Sequence, residues 1–383
     1  MAEGVVYLDY AATSAVRPPA VTDAVARYLA CVGASPGRGG HRLAVDASRI
    51  ALRCRTAVAK LFGIPGDPGR IAFMFNATHA LNTALWGVLG PGDIVVHTPY
   101  DHNAVLRPIH ALEERRGVRA RMIPGAPDGS LDMDEAARLL DGARLLVINA
   151  ASNVLGTALP VRELSRLAHQ AGALVLVDAA QSAGHLPLDV VEDGVDLLAF
   201  TGHKGLLGPQ GTGGLWVRDG LDVDPLLRGG TGGDSLRRAM PAAFPDRLEA
   251  GTQNGPGLAG LAAGIKWVLE QTTEAIHRRE MELKARLRDG LLSIPGVKVL
   301  SPPAPDGVAI VTVTAETVDA PTLARRLDRE HGILVRPGVH CAPEVHRLLG
   351  TAETGAVRFS FGWASTVDEV DRTLEAVTAI LET

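Results

Sequence analysis

The sequence predicts an α/β chain whose larger part is a mostly parallel sheet with helices on both faces. Three observations predict it. Between about residues 70 and 217, short apolar runs alternate with segments of helical period. An irregular stretch rich in Gly, Pro and Asp follows, and after it comes a long helical region and a smaller α+β set. At 383 residues, the chain is also longer than one core usually supports, so two domains are expected.

Residues 5–10 read as a short strand leading to a turn. Arg17-Pro18-Pro19 opens a helix over about 21–32, with Val21, Val25, Leu29 and Val32 on one stripe. Residues 35–41, which include Arg38, form a Gly-rich loop. It has no preceding strand and no Gly-Lys-Ser/Thr ending, so it is a poor phosphate loop. A second amphipathic helix spans about 46–62, with Cys54 on its apolar stripe as a core residue. Strands then follow at 70–75, 93–97, 145–149, 173–177, 195–200 and 215–217, with helices between them at 80–89, after Asn103, and at 161–171. Residues 228–255 are irregular. One long helical region covers 256–292. Beyond it come a strand at 308–314, a helix at 320–330, strands at 333–336 and 357–361, and a closing helix at 367–381.

Composition excludes several classes. The formal net charge of −5 gives no basic footprint for nucleic acid. Cys31, Cys54 and Cys341 are far apart and form no CxxC pair. That argues for a reducing, cytoplasmic setting and against a disulfide framework or a zinc site. The N-terminal residues, with Glu3 and Asp9, show no basic-then-apolar leader. The longest uncharged stretch, 145–161, is broken by Asn, Ser, Gly and Pro and is not a membrane span.

The chemistry gathers at strand ends, where open parallel sheets bind ligands. Lys204 directly follows a buried run, so its ammonium must leave, pair or react. Asp178 ends another such run, with Gln181 just beyond. A lysine for a Schiff base and a carboxylate for a pyridinium nitrogen together suit pyridoxal 5'-phosphate. The remaining polar residues suit it too. The amides of Ala77, Thr78 and His79 at a helix start make an anion site for the phosphate, joined by Thr201 and His203. Asn153 and Gln181 reach the phenolic oxygen, and His102 lies on the ring. Lys204 then serves as acid or base. Each residue alone has an ordinary explanation as a cap, turn or loop residue.

The segments Leu8-Asp9-Tyr10-Ala11-Ala12-Thr13-Ser14, Asp101-His102-Asn103-Ala104-Val105-Leu106, Asn153-Val154-Leu155-Gly156-Thr157, Val177-Asp178-Ala179-Ala180-Gln181-Ser182 and Thr201-Gly202-His203-Lys204 resemble those of cysteine desulfurases. These belong to the class V aminotransferase group of fold-type I pyridoxal-phosphate enzymes. The resemblance spans nearly the whole chain. It implies a large cofactor-binding domain (15–255) with a mostly parallel seven-stranded sheet, and a small α+β domain made of 1–14 with 256–383. It also implies that Cys341, in Arg336-Pro337-Gly338-Val339-His340-Cys341-Ala342, is the nucleophile that becomes a persulfide. His340 or a cofactor-bound group would activate its thiol. Arg358 would grip the substrate carboxylate, with Asn153 beside it. A homodimer is implied, in which Thr231 reaches the partner's phosphate. Tyr10 and Ala77 depart from the family's usual Asn and hydroxyl residue.

The expectation is therefore a desulfurase that takes L-cysteine to L-alanine and hands sulfur to an unidentified acceptor. Selenocysteine lyase, cysteine-sulfinate desulfinase, another C–S lyase and an aminotransferase are the alternatives within the cofactor class. A non-catalytic module that merely holds the cofactor is the alternative outside it.

Overall fold

The computed structural model describes residues 4–37, 39–233, 236–303, 305 and 307–382. Arg38 of the Gly-rich loop and Glu3 lie outside the described residues. In chain order the elements are β1 (Val6–Tyr7), α1 (Pro19–Arg27), α2 (Arg42–Leu61), β2 (Ile71–Met74), α3 (Ala77–Val88), β3 (Ile94–His97), α4 (Asn103–Arg116), β4 (Arg119–Met122), α5 (Met133–Leu139), β5 (Leu145–Asn149), α6 (Val161–Gln170), β6 (Leu174–Asp178), β7 (Leu197–Thr201) and β8 (Gly213–Val217). Then follow α7 (Gly255–Gln271), α8 (Thr273–Leu292), β9 (Val297–Val299), β10 (Ile310–Ala315), α9 (Ala320–His331), β11 (Ile333–Leu334), β12 (Arg336–Gly338), α10 (Pro343–Leu348), β13 (Ala356–Ser360) and α11 (Val367–Leu381).

Seven strands form one sheet in the order β2-β8-β7-β6-β5-β3-β4. All neighbours are parallel except around β8, which runs antiparallel to both β2 and β7. The strands alternate between two cores. Val96, Leu146, Ile148, Val177, Leu198 and Phe200 face one, and Val95, Leu145, Val147, Leu176, Leu197 and Ala199 face the other. Both faces are covered by helices, so the central strands β5, β6 and β7 are buried and apolar, and polar residues stand at their carboxyl ends.

A second sheet, β12-β13-β10-β9, is antiparallel and is backed by α8, α9 and α11 through Leu283, Leu287, Leu327, Val370 and Val377. The N-terminus returns beside it: β1 pairs in parallel with β11 as a separate two-stranded sheet, and Asp9 bridges Ser360 of β13.

Several expectations need correction. Residues 256–292 are two helices, not one. Thr272 takes φ 65° and its hydroxyl caps α8 by accepting the Ala275 amide at 3.2 Å. The helix over 21–32 changes at Tyr28 into a π-turn, Tyr28–Val32, closed by Gly33 at φ 57°. The strand at 333–336 is split between two sheets as β11 and β12. Four short elements, β4, α5, β9 and α10, carry too little apolar period to be read from sequence.

The two units meet on the turn 153–157. Arg358 Nη1 donates to Asn153 O (3.1 Å), Thr312 Oγ1 to Val154 O (2.5 Å), Val308 N to Gly156 O (2.8 Å), and Lys284 Nζ to the same oxygen (3.3 Å). Gly156 takes φ 72°, and a Cβ there would stand 2.8 Å from Val308 O. No other residue type fits.

Candidate active site

The carboxyl ends of β5, β6 and β7 deliver Asn149, Asp178 and Thr201 side by side. The turn after β7 adds His203 and Lys204, α3 adds Ala77 and Thr78, α4 adds its N-cap His102, and the following turns add Asn153 and Gln181. These residues line one cavity of about 130 Å³. Nine of the residues singled out in the sequence thus meet in one place.

Lys204 is only half-buried as a residue, but its ammonium is poorly hydrated. Desolvation, helped by the charge of Arg358, pulls its pKa down to about 8, against the pull of Asp178. Burial pushes Asp178 up, while the Ala180 amide (2.9 Å from Oδ1) and Lys204 favour its anion. His102 accepts the Ala104 amide at Nδ1 (3.0 Å), which places the ring proton of the neutral tautomer on Nε2. Burial and then Lys204 push its pKa down to about 4, so it is neutral at pH 7. His203 lies with Nδ1 3.1 Å from Thr13 Oγ1, and burial and Lys204 likewise bring it to about 4. Gln181 is fixed by donating Nε2 to Ala11 O at 3.0 Å.

One expected contributor is already engaged. The His79 amide donates to Asn76 Oδ1 (3.0 Å), which N-caps α3. Only the Ala77 and Thr78 amides remain for an anion. Thr231 does not line this cavity. It lies in a separate surface pocket of its own chain with Arg228, Arg237 and Met240.

Two buried oxygens in the cavity, Thr201 Oγ1 and Asn153 Oδ1, have no hydrogen-bond partner among the described residues. Buried polar atoms are rarely left so, because each costs about 1–3 kcal/mol. With the Ala77 and Thr78 amides, the Asp178 carboxyl and Lys204, they make a set of donors and acceptors for a ligand with an anionic end, a ring nitrogen, a phenolic oxygen and a carbonyl. Pyridoxal 5'-phosphate has all four.

The Cys341 loop is hydrogen-bonded to the edge of this cavity. Asn103 N donates to Cys341 O and Asn153 Nδ2 to His340 O, both at 2.7 Å. The loop is thus pinned to the start of α4, next to His102, and to the turn after β5. His340 and Cys341 take φ 51° and 56°. Two successive non-glycine residues in the left-handed region cost roughly 1–3 kcal/mol each. A buried relay holds them. His340 Nε2 donates to Arg336 O (3.0 Å), His340 Nδ1 meets His346 Nε2 (3.1 Å), and His346 Nδ1 meets Thr351 Oγ1 (2.8 Å). Both nitrogens of His340 are occupied, and burial pushes its pKa down to about 3. It braces the loop, and of the two groups named for activating the Cys341 thiol, His340 or a cofactor-bound group, it is the one whose nitrogens are already engaged.

Arg358, 2% exposed on β13, is not free either. Its Nη2 donates to Asp9 Oδ1 at 2.8 Å, and its Nε has no partner among the described residues. Arg336 stands opposite it across the strand pair, so two guanidinium groups and Lys204 share one region. Sequence reading passed over three members of this neighbourhood: Asp9, Arg336 and Asp101. All three stand inside or at the edge of motifs already singled out. Burial pushes Asp101 up to about 8; its Oδ2 is held by Thr98 N (2.7 Å) and Thr98 Oγ1 (3.1 Å), and its Oδ1 has no hydrogen-bond partner among the described residues.

A mostly parallel sheet with a lysine and a carboxylate at neighbouring strand ends is the arrangement expected of a pyridoxal-phosphate-dependent enzyme of the aminotransferase kind. Residues 6–373 match the aminotransferase class V family. A protein of Pyrococcus abyssi named a probable cysteine desulfurase is 36% identical over 382 residues, covering 97% of this chain and 93% of that one. The apo structure of a cysteine desulfurase from Thermococcus onnurineus NA1 superposes with a TM-score of 0.92 at 33% identity, covering 99% of this chain and 95% of that one. The S-sulfonic acid form of the cysteine desulfurase CsdA from Escherichia coli does so at 0.89 and 28% identity, covering 100% and 96%. The chain belongs to the class V aminotransferase family and, within it, to the cysteine desulfurases.

Proposed function

We propose that the chain converts L-cysteine to L-alanine and leaves the sulfur as a persulfide on Cys341. The observation that carries this reading is the pair of 2.7 Å hydrogen bonds that pin His340 and Cys341 to Asn153 and Asn103, at the edge of the Lys204 cavity. The stoichiometry closes without any added oxidant. One thiol and one cysteine give one persulfide and one alanine. The C–S bond of the substrate breaks, an S–S bond forms, and the proton released is taken up at carbon.

The residues divide the work. Ala77 and Thr78 amides, Thr201 and His203 hold a phosphate, Asn153 and Gln181 hold a phenolic oxygen, and Asp178 holds a proton on the ring nitrogen. Pyridoxal 5'-phosphate, when bound there, supplies the electron sink that labilises bonds at the substrate's α-carbon. Lys204 holds the cofactor and later moves a proton at its Nζ, and a pKa near 8 suits both duties. His102, neutral and with its proton on Nε2, packs on the ring and offers a donor. Arg358 orients the substrate carboxylate and Asn153 assists it.

The reading extends to a homodimer in a reducing compartment, in which Thr231 reaches the partner's phosphate. Leu29, Leu52 and Phe75, exposed on neighbouring segments, are apolar side chains such a partner would cover. No helix among the described residues is long and apolar enough to cross a membrane. The large domain is taken as 15–255 and the small one as 1–14 with 256–383. The sulfur acceptor is an unidentified protein or small molecule.

The test is alanine and sulfide production by wild type and Cys341→Ala with L-cysteine, L-selenocysteine and L-cysteine sulfinate. Loss of sulfide from L-cysteine in the variant, with the cofactor's visible band intact, is expected. Full sulfide release by the variant would make the protein a direct C–S lyase instead.

A further inference from the structure

The segment after β1 carries a carboxylate to which the proposed chemistry gives no part. Asp9 Oδ1 accepts a hydrogen bond from Arg358 Nη2 at 2.8 Å. The backbone on either side of Asp9 is stitched to the end of β13. Ser360 N donates to Leu8 O (2.8 Å), and Ala11 N donates to Ser360 Oγ (2.9 Å). Ser360 stands two residues beyond Arg358, on the same face of that strand. The Asp9 carbonyl is engaged as well, by the Ala12 amide (3.0 Å) and the Tyr7 hydroxyl (3.1 Å). Asp9 therefore meets Arg358 from a fixed backbone.

Arg358 is in turn held at both terminal nitrogens. Asp9 takes Nη2, and Asn153 O takes Nη1 at 3.1 Å. Asn153 also lines the Lys204 cavity, so the second anchor is part of the site itself. The donor left over is Nε, which is buried and has no partner among the described residues. A free arginine side chain has many rotamers to lose when it grips a ligand. Here two anchors from opposite ends of the chain remove that freedom beforehand, and the bare Nε–H is a donor that a carboxylate satisfies. Arg336 stands opposite Arg358 across the strand pair, so Asp9 also supplies a counter-charge where cations gather.

The geometry points to Asp9 as the positioning residue for Arg358: its carboxylate oxygen fixes the guanidinium so that Nε faces the substrate's carboxylate. The inference rests on the reading of Arg358 as the group that orients that carboxylate. Position matters here more than charge. A second anion beside the guanidinium does not strengthen its hold on a substrate anion, whereas a fixed guanidinium plane does.

Cofactor-loaded wild type, Asp9→Ala, Asp9→Asn, Asp9→Glu, Arg358→Ala and the Asp9→Ala/Arg358→Ala pair should be titrated with L-alanine and with ethylamine, which is L-alanine without its carboxylate. The visible band of the cofactor reads binding. Asp9→Ala is expected to weaken L-alanine about tenfold and leave ethylamine within about twofold. Asp9→Asn keeps an acceptor in place and should bind L-alanine as tightly as wild type or tighter, although both variants melt earlier for want of the counter-ion. Asp9→Glu keeps the charge but moves the oxygens by one methylene. It should weaken L-alanine about threefold or more, and it carries the test if the alanine variant does not fold. The double variant should bind L-alanine no more weakly than Arg358→Ala alone. An unmoved L-alanine affinity in the alanine and glutamate variants, an equal loss for ethylamine, an asparagine variant as weak as the alanine one, or a further loss in the double variant would each overturn the proposal alone. L-alanine binding that survives Arg358→Ala unchanged would instead overturn the carboxylate role of Arg358, and the proposal with it.

Discussion

The Lys204 cavity and the Cys341 loop, the two halves of the proposed site, are built on opposite terms. The cavity stands on strand ends. Asn149, Asp178 and Thr201 are placed by the register of β5, β6 and β7, which are buried on both faces. The Cys341 loop has no such support. It holds two left-handed residues in place by side-chain and backbone hydrogen bonds to Asn153, Asn103, Arg336 and His346. Sheet-built geometry is rigid and tolerant of distant change. Brace-built geometry is adjustable, which suits the role proposed for Cys341, meeting a substrate and then presenting its sulfur elsewhere.

The comparison can be broken from either side. The largest effect belongs to the sheet side. Lys204→Ala should lower kcat by at least about 10⁴-fold and remove the covalent attachment of the cofactor, read by mass spectrometry after borohydride reduction. Retained attachment would refute the assignment. Next comes the strand that joins the halves. Arg358→Ala should lower kcat/KM for L-cysteine by about 10²-fold, with most of the change in KM. A purely structural arginine, paired to Asp9 for folding alone, would leave KM unmoved. The loop's brace is weaker. His346→Ala should slow sulfur transfer about tenfold while the visible pH midpoint set at Lys204 stays put. A shifted midpoint would show that the two halves are not separately built.

The smallest effect is on stability. Lys204 titrates near 8 when folded and near 10.5 when free, so the unfolded chain binds the extra proton between those values. Stability of the cofactor-free protein should therefore rise as pH climbs from about 8 toward 10.5. Lys284, also lowered to about 8 by burial, contributes in the same window. Lys204→Met should flatten the rise only partly, as followed by urea melts across that range. An unchanged slope would mean that Lys204 is better hydrated than its surroundings suggest.

The same contrast decides what could be read from sequence. Lys204, Asp178, Asn153 and His102 were legible because strand ends are fixed by local apolar runs. The partners of Arg358 and His340 were not. Asp9 reaches Arg358 across 349 positions, and His346 meets His340 through a short helix with no apolar period of its own. The chain offered Arg358 and Cys341 only through resemblance, and nothing local announced that the arginine was already half-occupied. The helix break at Thr272 escaped notice for a similar reason. A capping threonine inside a long run of helix-forming residues looks like one more helical residue until its φ is known.

The turn at 153–157 bears on how this protein could be taken apart. Its carbonyls receive Arg358, Thr312, Val308 and Lys284, all of which lie at least 128 positions away in sequence. Anyone building a chimera by exchanging the C-terminal half between relatives would cut near residue 255 and leave this turn behind. The graft would then seat a foreign sheet on a native socket. The exchangeable module is discontinuous, and its boundary has to include five residues from the middle of the other half.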